Sequence, residues 1–307
     1  MASPIISCRN LCKSYGPLKA LDNVTLDLEP GAIGLLGPNG AGKSTLMKCL
    51  LQLQDFDSGE ARLLGDDVKA RGADLRERVG YVCEHEAHIG GLVASEYVAY
   101  SARLSGIPFE AARQRSHELL DFVGMGAERY QKVEGLPTGL KQRLKLAQAL
   151  VHDPKLVILD EPTNGLDPRG REQTLALIRS LWKDLRISVI LSSHLLQDVA
   201  KVCESIVVIN KGRIVVHDTM ENLSRRESPQ LEVLVANKRH VFLQETASWN
   251  PELLPSGRVR LHLPDGDTAP LLSLLDRLGI YPLEMIPSPT NLESLFTGLS
   301  KVPGERP

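Results

Sequence analysis

The chain has 307 residues, of which 42% are apolar, and this length is sufficient for one large domain with a sizeable core and one small domain. Its formal net charge of −2 gives no overall basic field, so a nucleic-acid partner is not predicted. The five cysteines include no Cys-x-x-Cys pair, which argues against a zinc ribbon and a disulfide framework and fits a reducing cytosol.

The sequence also bears on membrane association. No uncharged apolar run approaches the roughly 18–20 residues that a bilayer-spanning helix needs. The first seven residues lack the basic region and the long apolar region of a secretory signal. We therefore expect a protein that is soluble or peripheral to a membrane.

The chain begins with short predicted strands between Ile5 and Glu29, where apolar and polar residues alternate from Val24 onward. Tyr15 stands beside a Gly-Pro pair within this region. Its ring could stack on a nucleotide base, or it could be a strand tyrosine that packs on the small core. Local sequence leaves both interpretations open.

A glycine-rich segment follows and matches the pattern G-x-x-x-x-G-K-[ST] of a phosphate-binding loop. An apolar run with strand character precedes it and a helical run leaves it, which is the context that this loop needs. The glycines let backbone N–H groups face a polyphosphate, Lys43 would reach the β- and γ-phosphates, and the Ser44 hydroxyl would hold Mg²⁺. The alternative is a glycine-rich turn that only joins a strand to a helix. The predicted phosphate-binding residues are Gly37, Pro38, Asn39, Gly40, Ala41, Gly42, Lys43, Ser44 and Thr45.

The next segment contains a predicted turn at residues 57–60, a strand at 62–65, and a strand at 79–84 that ends in the carboxylate of Glu84. Residues 92–104 and 110–122 carry apolar residues at helical spacing, with a Gly-Ile-Pro break between them. We interpret these two helices as an insert between parts of an α/β core.

The pattern then alternates between helices and buried strands. We predict helices at 141–152 and 171–185 and strands at 156–161 and 188–193, which favours a mostly parallel sheet covered on both faces. From residue 227 the character changes to a small α+β unit of about 80 residues. Its predicted strands are 231–235, 258–263 and 280–286, its predicted helices are 268–278 and 291–299, and a disordered tail is predicted at 301–307.

Three side chains at strand ends complete the candidate catalytic site. Asp160 and Glu161 close one apolar run: Asp160 suits Mg²⁺, directly or through water, and Glu161 suits a general base that orients the attacking water. His194 ends the next buried strand, where it would sense the γ-phosphate. Taken singly, the acids could be solvated carboxylates at a strand end and the histidine could be structural. Their order after a phosphate-binding loop favours catalysis.

Taken together, these residues resemble the ATP-binding cassette (ABC) family, the ATPase subunits of ABC transporters, over about residues 5–220. The correspondence assigns an adenine-stacking aromatic to Tyr15, the Walker A loop to 37–45, the Q-loop position to Glu84, the signature to 136–140, Walker B to 156–161, the D-loop to 164–167, and the switch histidine to His194. The resemblance implies a P-loop NTPase α/β fold with a helical insert, and it implies ATP and Mg²⁺ as cofactors, the metal held by Ser44, Glu84 and Asp160.

Two positions depart from the family pattern. Glu84 stands where glutamine is usual, which adds negative charge near the γ-phosphate but can still ligate Mg²⁺. Pro137 replaces the signature serine, whose hydroxyl contacts the γ-phosphate across the dimer. We hypothesise that Thr138 and the Gly139 N–H supply the missing donor; the alternative is a degraded signature and a slow ATPase.

The resemblance also implies an architecture and partners. The C-terminal unit resembles the ferredoxin-like tail of the subgroup that serves ABC-2-type permeases, so we expect a cassette at 1–227 with a helical subdomain at about 85–135, an α+β domain at 228–300 and a tail at 301–307. The expected partners are a second cassette, identical or related, and a separate integral-membrane permease that exports a substrate. The expected location is the cytoplasmic face of the cell membrane. The rival functions are a nucleotide-dependent regulator with little turnover and a cassette ATPase that acts on ribosomes or DNA.

Overall fold

A computed structural model describes residues 3–85, 89–226, 230–263 and 267–287. The backbone divides after Met220 into two compact units, whereas the sequence analysis placed the domain boundary after residue 227. The predicted composition break at 227–229, the helix predicted at 291–299 and the tail predicted at 301–307 lie outside the described residues.

The first unit contains two sheets. An antiparallel sheet has the strand order β2-β1-β4-β5, and its strands are β1 (Ile6–Tyr15), β2 (Leu18–Leu28), β4 (Ser58–Leu63) and β5 (Asp66–Asp67). A six-stranded sheet has the order β10-β9-β3-β8-β7-β6, and its strands are β3 (Ala32–Leu36), β6 (Val79–Val82), β7 (Leu156–Asp160), β8 (Ser188–Ser193), β9 (Ser205–Asn210) and β10 (Arg213–Thr219). Only β10 runs antiparallel to its neighbour in this second sheet.

The helices of the first unit connect and cover these sheets. They are α1 (Lys43–Leu50), α2 (Val68–Arg76), α3 (Ala94–Leu104), α4 (Phe109–Phe122), α5 (Thr138–Ala149), α6 (Pro168–Lys183) and α7 (Leu196–Val202). Helix α8 (Met220–Arg226) begins at Met220, where the first unit ends, and its other residues belong to the second unit. Helices α3 and α4 fall within residues 85–135, for which the sequence predicts a helical insert. Among the described residues, no helix has both the length and the apolar character that crossing a bilayer requires.

The central strands carry the main core because both of their faces are covered. Every residue of β3, β7 and β8 is buried. Strands of this kind are continuous apolar runs rather than alternating ones, as the sequence predicts for 156–161 and 188–193. The carboxyl ends of these three neighbouring parallel strands lie at one edge of the sheet.

Two local predictions differ from the structure in their bounds. The segment predicted as a turn at 57–60 is already strand from Ser58, and Gly59 sits at a register shift against β1 with a φ of +95°. Glycine at such an irregularity produces the same sequence signal as a turn. The helix predicted to start at Lys141 starts at Thr138 in the structure, because Pro137 takes the cap position and its carbonyl accepts from Leu140 and Lys141.

The second unit is a split βαβ arrangement. Its elements are β11 (Gln230–Val235), α9 (Arg239–Glu245), β12 (Glu252–Leu253), β13 (Val259–His262), α10 (Ala269–Leu278) and β14 (Pro282–Pro287). The sheet order β12-β13-β11-β14 and the antiparallel pairing are those of a ferredoxin-like fold. Its own apolar core includes Phe242 and Leu271, both fully buried. The α/β class with an additional α+β unit, predicted from sequence, is confirmed.

A glycine contact between β3 and α7 provides a test of the packing. An added Cβ at Gly34 would lie 2.1 Å from Val199 Cγ1, whereas one at Gly31 would meet nothing closer than 3.7 Å. We expect Gly34→Ala to lower the free energy of unfolding by about 1–3 kcal/mol because it overpacks the core. Urea denaturation measures this cost, with Gly31→Ala as the matched control.

Adding Val199→Ala should relieve part of the strain, so that the double variant loses less stability than the sum of the two single variants. Equal stability of Gly34→Ala and Gly31→Ala would contradict the close approach of β3 and α7.

Candidate nucleotide-hydrolysis site

The phosphate-binding loop lies at the carboxyl edge of the parallel sheet, between β3 and α1. Gly42 takes the N-cap position of α1 with a φ of +111°, a conformation that favours glycine. A Cβ there would lie 2.5 Å from the Ala20 carbonyl oxygen, and one at Gly37 would lie 2.3 Å from the Ile209 carbonyl oxygen. The loop can therefore take this shape only with glycine at both positions.

The loop borders an open cleft of about 280 Å³. All of the predicted phosphate-binding residues except Gly37 line it, together with Tyr15, Glu84 and Glu161, which are distant in sequence. Leu18 and Ala20 add an apolar wall beside Tyr15. The cleft is thus lined by an aromatic ring, a helix N-terminus and two carboxylates, a set of groups that suits a nucleoside polyphosphate.

The predicted catalytic residues Lys43, Glu161 and His194 form one contact group. The Lys43 Nζ lies 3.1 Å from Glu161 Oε1, and both side chains are about 93% buried. The same Nζ donates to the Gly37 carbonyl oxygen at 2.7 Å. His194 Nδ1 lies 2.9 Å from Glu161 Oε2. The two buried charges neutralise each other, which offsets the cost of taking them out of water.

Glu161 retains one unsatisfied atom. Its Oε1 is buried and, despite the charge contact with Lys43, accepts no hydrogen bond of adequate geometry in the described part of the chain. A buried carboxylate oxygen without a donor favours a hydrogen-bond donor from a bound molecule. Because Glu161 lines the cleft, that donor can be a water molecule or a ligand inside the cleft.

Asp160 and Glu84 occupy different environments. Asp160 is 2% exposed at the end of β7 and is not among the residues that line the cleft, and its Oδ1 accepts from Ser192 Oγ at 2.7 Å. Glu84 is exposed and lines the cleft, where its Oε1 accepts from Asn164 Nδ2 at 3.4 Å. The buried Lys145 holds the Glu84 segment by donating to the Cys83 carbonyl oxygen at 2.8 Å.

Tyr15 stands at the end of β1 and is 45% exposed. The hairpin that carries it is held by Asp57, whose Oδ2 accepts from the Ser14 N–H at 2.6 Å and whose Oδ1 pairs with Lys13 at 3.1 Å. Lys13 and the Ser14 N–H keep the pKa of Asp57 below its usual value, so this anchor stays charged at neutral pH. The exposed ring is therefore presented to the cleft rather than packed in the core.

Thr138 and Gly139 do not line this cleft, so the described structure does not bring them together with the phosphate-binding loop. Thr138 is exposed in the first turn of α5, and Pro137 before it has φ −56° and ψ 153°. A Cβ at Gly139 would lie 3.9 Å from Leu166, so the signature neighbours the D-loop segment. The N-terminus of α5 is thus presented at the surface of the first unit.

Two groups that support the site were not predicted from the sequence. Ser192 on β8 contacts both Asp160 and Glu161. Asp198 on α7 is 1% exposed and accepts from Thr163 Oγ1 and Arg171 Nε, each at 2.6 Å, which ties three segments together. The paired serines at the end of an apolar strand were an available signal, since a buried hydroxyl needs a partner.

The fold and the site together define a P-loop nucleotide hydrolase. The family described as "ABC transporter" matches residues 21–164. A bacitracin transport ATP-binding protein, BcrA of Bacillus licheniformis, is 33% identical over 301 residues, covering 97% of each chain. A methionine import ATP-binding protein, MetN of Caulobacter vibrioides, is 34% identical over 226 residues, which cover 71% of this chain and 68% of that protein.

A solved structure is also similar. The cbiO1 protein of Clostridium perfringens, part of the ABC transporter complex cbiONQ, superposes with a TM-score of 0.66 at 26% identity and covers 72% of this chain and 90% of that chain. The chain belongs to the ATP-binding subunits of ABC transporters and is an ATPase. The predicted family, fold and enzyme class are confirmed.

Removing the Lys43 ammonium tests the phosphate-binding loop. We expect Lys43→Ala to weaken ATP binding by about 1.5–3 kcal/mol, or roughly ten- to a hundredfold in Kd, because a hydrogen bond from a charged donor is lost. Isothermal titration with ATP measures the change. Lys48→Ala is the control, since Lys48 is exposed in the last turn of the same helix. Unchanged affinity in Lys43→Ala would contradict the assignment.

Proposed function

We propose that this chain is the ATP-hydrolysing subunit of an ABC-2-type exporter and works with a separate integral-membrane permease. The observation that carries this proposal is the full-length match to the bacitracin transport protein, which extends through the ferredoxin-like unit. The match to the methionine import protein covers 71% of this chain, whereas the match to the bacitracin transport protein covers 97% of it. The bacitracin transport protein is therefore similar to this chain over both the cassette and the C-terminal unit.

Magnesium fits the chemistry of the donors at the end of β7. The Ser44 hydroxyl at the start of α1, the Asp160 carboxylate and the Glu84 carboxylate are the oxygen ligands that Mg²⁺ prefers, directly or through water. The bound ion would neutralise charge on the β- and γ-phosphates.

In this proposal Lys43 changes partner when ATP binds. Its Nζ lies 3.1 Å from Glu161 Oε1, and the phosphates of ATP offer a stronger anion at the N-terminus of the helix. Release of Lys43 frees Glu161 Oε1, and Glu161 then acts as the base that orients and deprotonates the attacking water. His194, in contact with the other oxygen, fixes the carboxylate and faces the γ-phosphate.

The exposed signature serves a second chain. Because Thr138 and Gly139 do not line their own cleft, we propose that two cassettes pair head to tail, so that the α5 N-terminus of one approaches the ATP of the other. Proline before the first turn does not interrupt a helix, so the loss of the signature serine leaves this N-terminus in place. Thr138 then supplies the hydroxyl that Pro137 lacks.

The same proposal assigns a function to each of the other parts of the chain. We assign ATP binding to the cassette at 1–227, and we assign the permease contact to the helical subdomain at about 85–135, where Tyr100, Leu104 and Phe109 are exposed apolar side chains. The domain at 228–300, followed by the tail at 301–307, stabilises the assembly. Contact with a permease would hold the chain on the cytoplasmic face of the membrane.

A second candidate function is a nucleotide-dependent regulator with little turnover. Pro137 favours it, because this residue offers neither a hydroxyl nor an N–H to a γ-phosphate. Both candidates bind ATP, and they differ in turnover and in the partner.

Purification from the native membrane tests the partner. The tagged full-length chain is solubilised in mild detergent and its companions are identified by mass spectrometry. We expect a polytopic membrane protein of about six helices in near-equal amount. Recovery of ribosomal proteins, or of a periplasmic binding protein and its importer permease, would contradict the proposal. A soluble companion without a membrane protein would support the regulator.

Replacing the proposed base tests the mechanism. Glu161→Gln keeps the size of the side chain but removes its basicity, so we expect a loss of ATP hydrolysis of at least about a hundredfold, within the range of a general base. ATP binding should persist, and the variant should accumulate as a closed dimer with ATP. Phosphate release and size-exclusion chromatography measure these changes. Monomers at saturating ATP, or wild-type turnover, would contradict the role of Glu161.

A further inference from the structure

The side chain of Ser192 contacts the two acidic residues of the site at once. Its Oγ donates to Asp160 Oδ1 at 2.7 Å and accepts from the Glu161 N–H at 3.0 Å. A hydroxyl has one proton and can accept through its lone pairs, so both functions of this hydroxyl are used. The side chain itself is fully buried.

The strand pairing places Ser192 where it can do this. In the parallel register, Ser192 lies beside Asp160 of β7 on one side and Leu35 of β3 on the other. It shares a face of β8 with Ile190, which belongs to the apolar core. A hydroxyl in such surroundings requires partners, and the two acidic residues provide them.

The backbone at Glu161 explains why a side chain is needed there. Glu161 has a φ of +49°, in the left-handed region that non-glycine residues rarely adopt. The chain turns out of the sheet at this residue, and its N–H bonds to a side chain instead of a strand carbonyl. Strained backbone of this kind persists only when its surroundings fix it.

We propose that Ser192 is a positioning residue for ATP hydrolysis, and this inference rests on the roles proposed above for Asp160 and Glu161. Its hydroxyl fixes the orientation of the Asp160 carboxylate toward the metal and locks the turn that aims Glu161 at the attacking water. A single buried hydroxyl thereby holds the metal ligand and the base in fixed relation. Ser192 itself touches neither nucleotide nor metal.

Two matched pairs of variants isolate the hydroxyl in the full-length chain. Ser192→Ala removes it without adding volume, while Ser192→Thr and Ser192→Val have nearly the same shape and differ in the hydroxyl alone. Ser188→Ala is the control, since Ser188 is buried at the opposite end of the same strand. Phosphate release is measured against ATP and against Mg²⁺, and ATP affinity is measured separately in EDTA.

We expect kcat to fall about ten- to a hundredfold in Ser192→Ala, which is the usual loss when a hydrogen-bond partner of a metal ligand is removed. We also expect the Mg²⁺ concentration needed for half-maximal activity to rise. ATP affinity in EDTA should stay within about threefold, because the phosphate-binding loop is untouched. Ser192→Thr should turn over at least about tenfold faster than Ser192→Val. Ser188→Ala should behave as wild type.

Equal kcat values for Ser192→Thr and Ser192→Val would overturn the proposal. It would also be overturned if Ser192→Ala kept the wild-type kcat and changed only KM or the ATP affinity measured without Mg²⁺. Glu161→Gln is assayed in parallel. If Glu161→Gln is inactive while the Ser192 variants with and without the hydroxyl have the same kcat, the inference about Ser192 fails and the proposed function stands. If Glu161→Gln remains active, the proposed mechanism itself fails.

Discussion

The site depends on the register of three parallel strands. Leu36 at the end of β3 is paired with Ser193 of β8, and Asp160 at the end of β7 is paired with Ser192. The strands therefore end within one residue of each other, and the residues that follow them leave the sheet side by side. A shift of one residue in either pairing would turn a side chain to the opposite face and separate these groups. Burial of both faces fixes this register.

A charge contact follows from this alignment. The phosphate-binding lysine and the glutamate that follows β7 lie 3.1 Å apart, and each side chain is about 93% buried. Each charge would be costly to bury alone, so pairing the two offsets the cost of taking them out of water. The same contact prepares the site, because the lysine already points into the loop that receives phosphate. When ATP binds, its phosphates can then replace the Glu161 carboxylate as the partner of Lys43, and the loop keeps its shape.

The sequence predicted the parts of the site that depend on local pattern or chain order. The glycine-rich loop, the acids at the end of an apolar strand and the histidine at the end of the next all have recognisable signals, and the two-unit α/β and α+β fold followed from periodicity. The contacts of Asp198 and Lys145 had no such signal, since they join segments far apart in the chain. The short helices α2 and α9 were also missed, because a few polar turns carry little periodicity. Gly59 was taken for a turn because glycine signals bulges and turns alike.

We propose above all that Lys43 leaves Glu161 and binds a phosphate of ATP when the nucleotide enters the site at the aligned strand ends. The most direct measurement is the distance between Lys43 Nζ and Glu161 Oε1 in an experimental structure of the full-length chain with Mg²⁺ and a non-hydrolysable ATP analogue. We predict that this distance grows from 3.1 Å to beyond the roughly 4 Å limit of an ion pair, with Nζ bonded to a phosphate oxygen. A lysine still on Glu161, or a triphosphate bound outside the loop, would contradict the account.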